Sequence, residues 1–285
     1  MTSSAYGVSS MVAPLRRVAV RTPSRTGDYA AAHWAEPVDR ELLVRQHDEF
    51  VSLLIGLGAG VEVLAPQEGM PDACFTYDPV FVVPAGAIEL RAAKLARVGE
   101  GERLARDLHD LGVPVVGRLE GDATADGGDM FWLDDTTLAV GRSYRTNAEA
   151  VRQLRALLEP DGITVETFDV PHDQGPEYCL HLMSLVSPVR EDLAVVYERL
   201  APVALLQALA ERGIDWVCVP DDEYLSLGCN VLAVEPGVVV LAAGNDTTAA
   251  LLHERGVAVH TYDASEINKG EGGPTCLTRP VLRAG

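Results

Sequence analysis

The sequence predicts a five-bladed α/β propeller, and two observations carry that prediction. An amphipathic stretch of about a dozen residues, a glycine near its end and then a β-rich run recurs five times, at roughly fifty-residue intervals. Ahead of most of these helices lie two β-like runs joined by a tight turn. Each unit therefore reads strand, strand, helix, strand. One such unit cannot bury both its sheet and its helix face, so several should close around an axis. An open doubly wound sheet competes, but it uses one strand per helix and needs no hairpins.

The elements follow in order. Arg17 to Thr22 reads as a strand, and the first helix runs through Val51–Ile55 to Gly58 and Gly60, then into Val61–Leu64. Between them Ser24 to Asp39 forms a long polar loop, a lid candidate. The second unit pairs Phe81–Val83 with Ala87–Leu90, then runs Arg103 to Gly112 and Val113–Val116. The third pairs Met130–Leu133 with Leu138–Val140, then a helix Ala148–Leu158 leads to Ile163–Phe168. The fourth pairs Leu182–Val186 with Leu193–Tyr197, followed by Val203–Arg212 and Ile214–Val219. The fifth pairs Val231–Val234 with Val238–Leu241, followed by Ala249–Arg255 and Val257–Tyr262. Met1 to Pro14, small and polar, reads as a disordered lead-in to a single catalytic domain over 15–285.

Composition narrows the function classes. The chain has 285 residues, 47% hydrophobic and 23% charged, as a soluble globular protein does. No apolar run reaches the ~18 residues a membrane span needs. A formal net charge of −19 argues against nucleic acid and favours a cationic small molecule. Five cysteines without a CxxC pair point to a reducing, cytoplasmic compartment with neither disulfides nor a zinc site, and no metal or cofactor is expected.

The chemistry collects at turns. Cys276 stands in Glu271-Gly-Gly-Pro-Thr-Cys-Leu-Thr-Arg-Pro280, with little apolar surface to pack against, and reads as a nucleophile. Three turns before predicted hairpins supply partners: Asp72 and Asp78, Asp126 and Asp129 around Gly127-Gly128, and His181. Gly228-Cys229-Asn230 occupies the same place in the fifth unit. A Cys/His pair with carboxylates is a nucleophilic arrangement in which imidazole moves the proton and an acid orients it. Remaining acids would hold a cation.

The stretches Asp72 through Asp78, Asp126-Gly-Gly-Asp129, Arg145-Thr-Asn147, His181-Leu182 and Gly272-Gly-Pro-Thr-Cys276 resemble the ordered motifs of the guanidino-group-modifying superfamily. It contains dimethylarginine dimethylaminohydrolase, which this chain resembles most, arginine deiminase and the amidinotransferases. The resemblance runs from about Arg17 onward and implies the same five-bladed (pentein) fold. It implies Cys276 as nucleophile on the guanidinium carbon, and His181 as acid toward the departing amine, then as base toward water. It implies Asp126 to orient His181 and contact the guanidinium, and Asp78 to grip it. Asp72 would take the substrate α-amine, and Arg97 and Arg145 its carboxylate. The expected reaction is C–N hydrolysis of an N-omega-methylated arginine to citrulline and a methylamine through a Cys-thiouronium. An amidinotransferase, a hydrolase of arginine or citrulline, and a non-catalytic binding propeller stay open, as does a homodimer. Three positions depart from the pattern: Tyr77 replaces an acid common in hydrolases of dimethylarginine, Val98 replaces a frequent second arginine, and Met183 stands where arginine deiminase has an aspartate.

Overall fold

The computed structural model describes residues 5–284. Among them the strands form five three-stranded sheets. Four blades follow the predicted unit. The second holds β3 (Val80–Val83), β4 (Gly86–Glu89), α2 (Glu100–Asp110) and β5 (Val115–Arg118); in the first blade, β1 (Leu15–Arg21), α1 (Arg40–Gly56) and β2 (Gly60–Leu64) precede them. The third holds β6 (Met130–Asp134), β7 (Thr137–Arg142), α3 (Ala148–Leu158) and β8 (Thr164–Asp169). The fourth holds β9 (Val186–Arg190), β10 (Leu193–Val196), α4 (Val203–Glu211) and β11 (Asp215–Cys218). After a short α5 (Asp221–Tyr224), the fifth holds β12 (Leu232–Glu235), β13 (Val238–Ala242), α6 (Asp246–Glu254) and β14 (Ala258–Tyr262). In each of these four blades the hairpin is antiparallel, and the helix returns the chain to a strand parallel to the middle one.

The first unit lacked a hairpin in the sequence because its partner lies at the other end of the chain. The strand β15 (Arg279–Arg283) pairs antiparallel with β1, placing Pro280 opposite Val18 and Arg279 opposite Ala19. A strand that opens on Arg-Pro carries no β signal, and proline is tolerated there because β15 is an outer strand of its sheet.

Local chemistry sets the helix ends. Asp39 caps α1 by accepting from the amides of Glu41 and Leu42, and Asn147 caps α3 through the Ala150 amide at 2.9 Å. Helix α2 buries Leu104, Ala105 and Leu108, and each of the two leucines is worth about 1.5–3 kcal/mol in area removed from water. Buried Arg21 joins β1 to that helix through Asp107 at 2.7 Å.

Two expectations change. Residues 5–14 are not a loose lead-in: Val8, Met11 and Val12 are buried in the core, and Gly7 exchanges backbone hydrogen bonds with Val281 and Arg283. Met1–Ser4 lie outside the described residues. The fourth hairpin begins at Val186, because Leu182–Ser184 forms a 3-10 turn capped by His181. No helix among the described residues is long and apolar enough to cross a membrane.

Candidate active site

Every blade delivers one turn to the same end of the propeller, just ahead of its first strand. Asp72 and Asp78 precede β3, Asp126 precedes β6, His181 precedes β9, Asn230 precedes β12 and Cys276 precedes β15. All six border one cavity of about 160 Å³, as do Lys94, Arg97, Arg145, Cys179 and Glu271.

The nucleophile loop is held from both sides. The Thr275 amide donates to Asn230 Oδ1 at 3.0 Å, and the Tyr77 amide to the Cys276 carbonyl at 3.1 Å. Asn230 Nδ2 then donates to Cys276 Sγ at 3.1 Å. The glycines in this loop are required by close approach. A Cβ on Gly272 would stand 2.2 Å from the Phe75 ring, and one on Gly273 2.6 Å from Asn230 Cγ. Burial first, and the Asp78 carboxylate second, push the Cys276 thiol up to about 11, while Asn230 acts the other way. The unliganded thiol is therefore protonated at neutral pH. Its alkylation by iodoacetamide is expected to accelerate about tenfold per pH unit between pH 7 and 10, with Cys276→Ser giving the background from the other thiols. A plateau near pH 7 in peptide-resolved labelling would contradict that environment.

His181 Nε2 lies 3.3 Å from Asp126 Oδ2, and its Nδ1 lies 3.7 Å from Cys179 Sγ. Burial works against a charged ring, but the Cys179 sulfur, Asp126 and Asp129 outweigh it and raise the imidazole well above its ordinary range. Buried Asp129 fastens this turn from beneath, accepting from the Leu182 amide at 2.8 Å and from Ser143 Oγ at 2.6 Å. Gly128 makes the packing possible: a Cβ there would stand 2.3 Å from His181 Nδ1. Its amide donates to Asp78 Oδ1 at 2.9 Å.

The structure brings Cys276, His181, Asp126 and Asp78 together as the sequence suggested, and it reassigns others. Arg97 is not free for a substrate carboxylate. Its Nη1 donates to Asp78 Oδ2 at 2.5 Å, its Nε to Glu100 Oε2 at 2.9 Å and its Nη2 to the Phe75 carbonyl at 3.2 Å. Burial pushes Asp78 up, but Arg97 and His181 bring it below its usual value, so Arg97 keeps Asp78 ionised. Asp72 has both oxygens engaged, by Trp34 Nε1 at 2.7 Å and Lys94 Nζ at 2.6 Å. Arg145 does face the cavity, 8% exposed, and its Nε has no partner among the described residues.

Tyr77 borders the cavity, yet its hydroxyl donates to the Met130 carbonyl at 3.2 Å and its ring lies 4.1 Å from the Arg279 guanidinium. It is a core residue. Val98 is exposed and absent from the cavity wall. The lid candidate is packed in place: Trp34 stacks on Phe75 with ring centroids 5.5 Å apart, and Ala32 and His33 wall the cavity.

Asn230 had a signal, its place in the repeat. Glu271 lay in the stretch that carries Cys276, and Cys179 two residues before His181, but neither was assigned a role; Lys94 had no signal, because it reaches the site from an irregular segment.

The family model for arginine deiminase matches residues 107–212 and 201–283. A dimethylarginine dimethylaminohydrolase of Streptomyces coelicolor is 31% identical over 93% of this chain and 96% of its own. An uncharacterized Bacillus subtilis protein, YkgA, is 30% identical over 84% of this chain and 79% of its own. Among solved structures, a mutant of the Pseudomonas aeruginosa dimethylarginine dimethylaminohydrolase with citrulline superposes with a TM-score of 0.79. It is 23% identical over 93% of this chain and 99% of its own, a likeness of fold. By family model, by relatives and by the five-bladed pentein fold, the chain belongs to the guanidino-group-modifying superfamily of the arginine deiminases and dimethylarginine dimethylaminohydrolases.

Proposed function

We propose that the protein hydrolyses a C–N bond of a guanidino substrate through a covalent intermediate on Cys276, with an N-omega-methylated arginine head as the first candidate. The observation that carries this is the convergence of Cys276, His181, Asp126 and Asp78, from four blades, on one cavity. The relatives' names support the methylated head.

A guanidinium entering the cavity meets Asp78 and Asp126, which fix its plane by charge-assisted hydrogen bonds. Its positive charge beside Cys276 offsets the two influences that keep the thiol protonated, so binding releases the thiol proton to solvent and leaves the thiolate. Sγ forms a bond to the central carbon, and the C–N bond breaks as the protonated His181 gives its proton to the departing amine. The neutral imidazole then takes a proton from water, whose oxygen adds to the carbon. The C–S bond breaks as the hydroxyl proton passes to sulfur, leaving a ureido product, the thiol and the protonated imidazole. Arginine itself is the second reading, favoured by the span of the arginine deiminase family match.

The test is mass spectrometry of products after incubation with dimethylarginine, monomethylarginine, arginine and citrulline in parallel, with Cys276→Ser as control. Citrulline plus a methylamine from the methylated compounds is the expected result. Absence of any product, together with absence of a Cys276 adduct from an electrophilic amidine, would remove the proposal.

A further inference from the structure

The cavity wall already contains an ammonium group. Lys94 Nζ sits 2.6 Å from Asp72 Oδ2 and 2.6 Å from the Ala32 carbonyl. Trp34 Nε1 holds the other Asp72 oxygen. A carboxylate and a carbonyl converging on one ammonium is the donor set that would receive the α-amine of an amino acid. Here it is filled from within the chain. Arg145, also buried, borders the same cavity, and its Nε has no partner among the described residues. A buried guanidinium nitrogen left without a partner is costly, and an anion entering with the substrate relieves that cost. Glu271, an exposed carboxylate bordering the same cavity, accepts at Oε2 from the Cys179 amide and feels the charges of both Lys94 and Arg145, but forms no ion pair with Arg145 among the described residues.

Accepting the guanidino-hydrolase reading above, we propose that Lys94 is a specificity residue that stands in for the α-amine, so that the preferred substrate is an ω-guanidino carboxylate without an α-ammonium group. The head of the substrate is unchanged. The tail carries one anion, taken by Arg145 with Lys94 nearby. A substrate α-ammonium would have to displace Lys94 from Asp72 or lie beside it as a like charge.

The experiment compares methylarginine with the same compound lacking the α-amine, both as substrates of the wild type and as ligands of Cys276→Ser by calorimetry. The desamino compound is expected to be better by about tenfold in kcat/KM and in Kd, the scale of one charge-assisted hydrogen bond. Lys94→Met keeps most of the stem and frees Asp72, and should move the ratio at least about tenfold toward the α-amino compound. Lys94→Arg, which retains a cation, should keep the wild-type order.

A wild-type ratio of one or below, with turnover intact, overturns the tail assignment and leaves the hydrolase standing. Tail preference in Kd without turnover of either compound overturns the methylated head and leaves the tail assignment. Failure of Cys276→Ser to bind either compound, with no turnover of either by the wild type, overturns both the tail assignment and the methylated head.

Discussion

Cys276→Ser is expected to fold normally and to lose turnover by at least about a thousandfold. The exchange removes no volume that the loop needs, since the backbone there is fixed by Asn230, Tyr77 and Thr278 rather than by the sulfur. What it removes is an atom that can become an anion. Even the thiol is held up to about 11 in the unliganded site, and a hydroxyl starts several units higher. A bound guanidinium can bring a thiol down into the working range but not an alcohol. The check is a steady-state assay beside intact-protein mass spectrometry with an electrophilic amidine. The wild type should gain one adduct and the serine variant none. Retained labelling in the variant would place the nucleophile elsewhere, with Cys179 the next thiol to examine.

His181→Ala should slow turnover by about 10²–10⁴-fold, the usual range for a positioned acid and base. The variant loses a proton donor in the first half-reaction and a proton acceptor in the second, so the two halves can be told apart. With an ordinary methylated substrate the C–N bond should hardly break. With a substrate whose leaving group departs without protonation, the thiouronium should form and persist, adding its mass to the protein. Rapid hydrolysis of that adduct would show that His181 is not the base. The substitution also leaves Asp126 buried without its imidazole, so a thermal melt belongs beside the assay to separate lost chemistry from lost stability.

Most of the fold was legible because the repeat writes itself as glycines after helices and as short apolar hairpins. Four blades needed nothing more. The first was not readable because its third strand, Arg279–Arg283, opens with Arg-Pro and pairs with residues more than 250 positions away, a separation that local pattern does not report. Residues 5–14 were misjudged for a related reason. Val8, Met11 and Val12 stand among small residues with no strand or helix period, and their burial depends on docking against distant segments.

At the site, the charged groups that recur at one position of the repeat were found, and the error lay in what each one faces. Arg97 and Asp72 have the identity expected of substrate ligands, yet each has its own internal partner, Glu100 and Asp78 for the arginine, Trp34 and Lys94 for the aspartate. A residue type shows what a side chain can bind. Only the packing shows what it has already bound. Tyr77 makes the same point, since it stands next to Asp78 in sequence and turns the opposite way, under Arg279.

The strand β15 completes the first blade, and Cys276 lies three residues before it. Ring closure and nucleophile placement are thus one structural event. If that strand detaches in a local opening, the thiol leaves its partners at the same moment that β1 loses its antiparallel neighbour and presents unpaired backbone. Loss of activity and exposure of a self-associating edge are therefore coupled, so mild heating should extinguish the chemistry and start aggregation at one temperature, and a ligand that grips Cys276 covalently should raise both together.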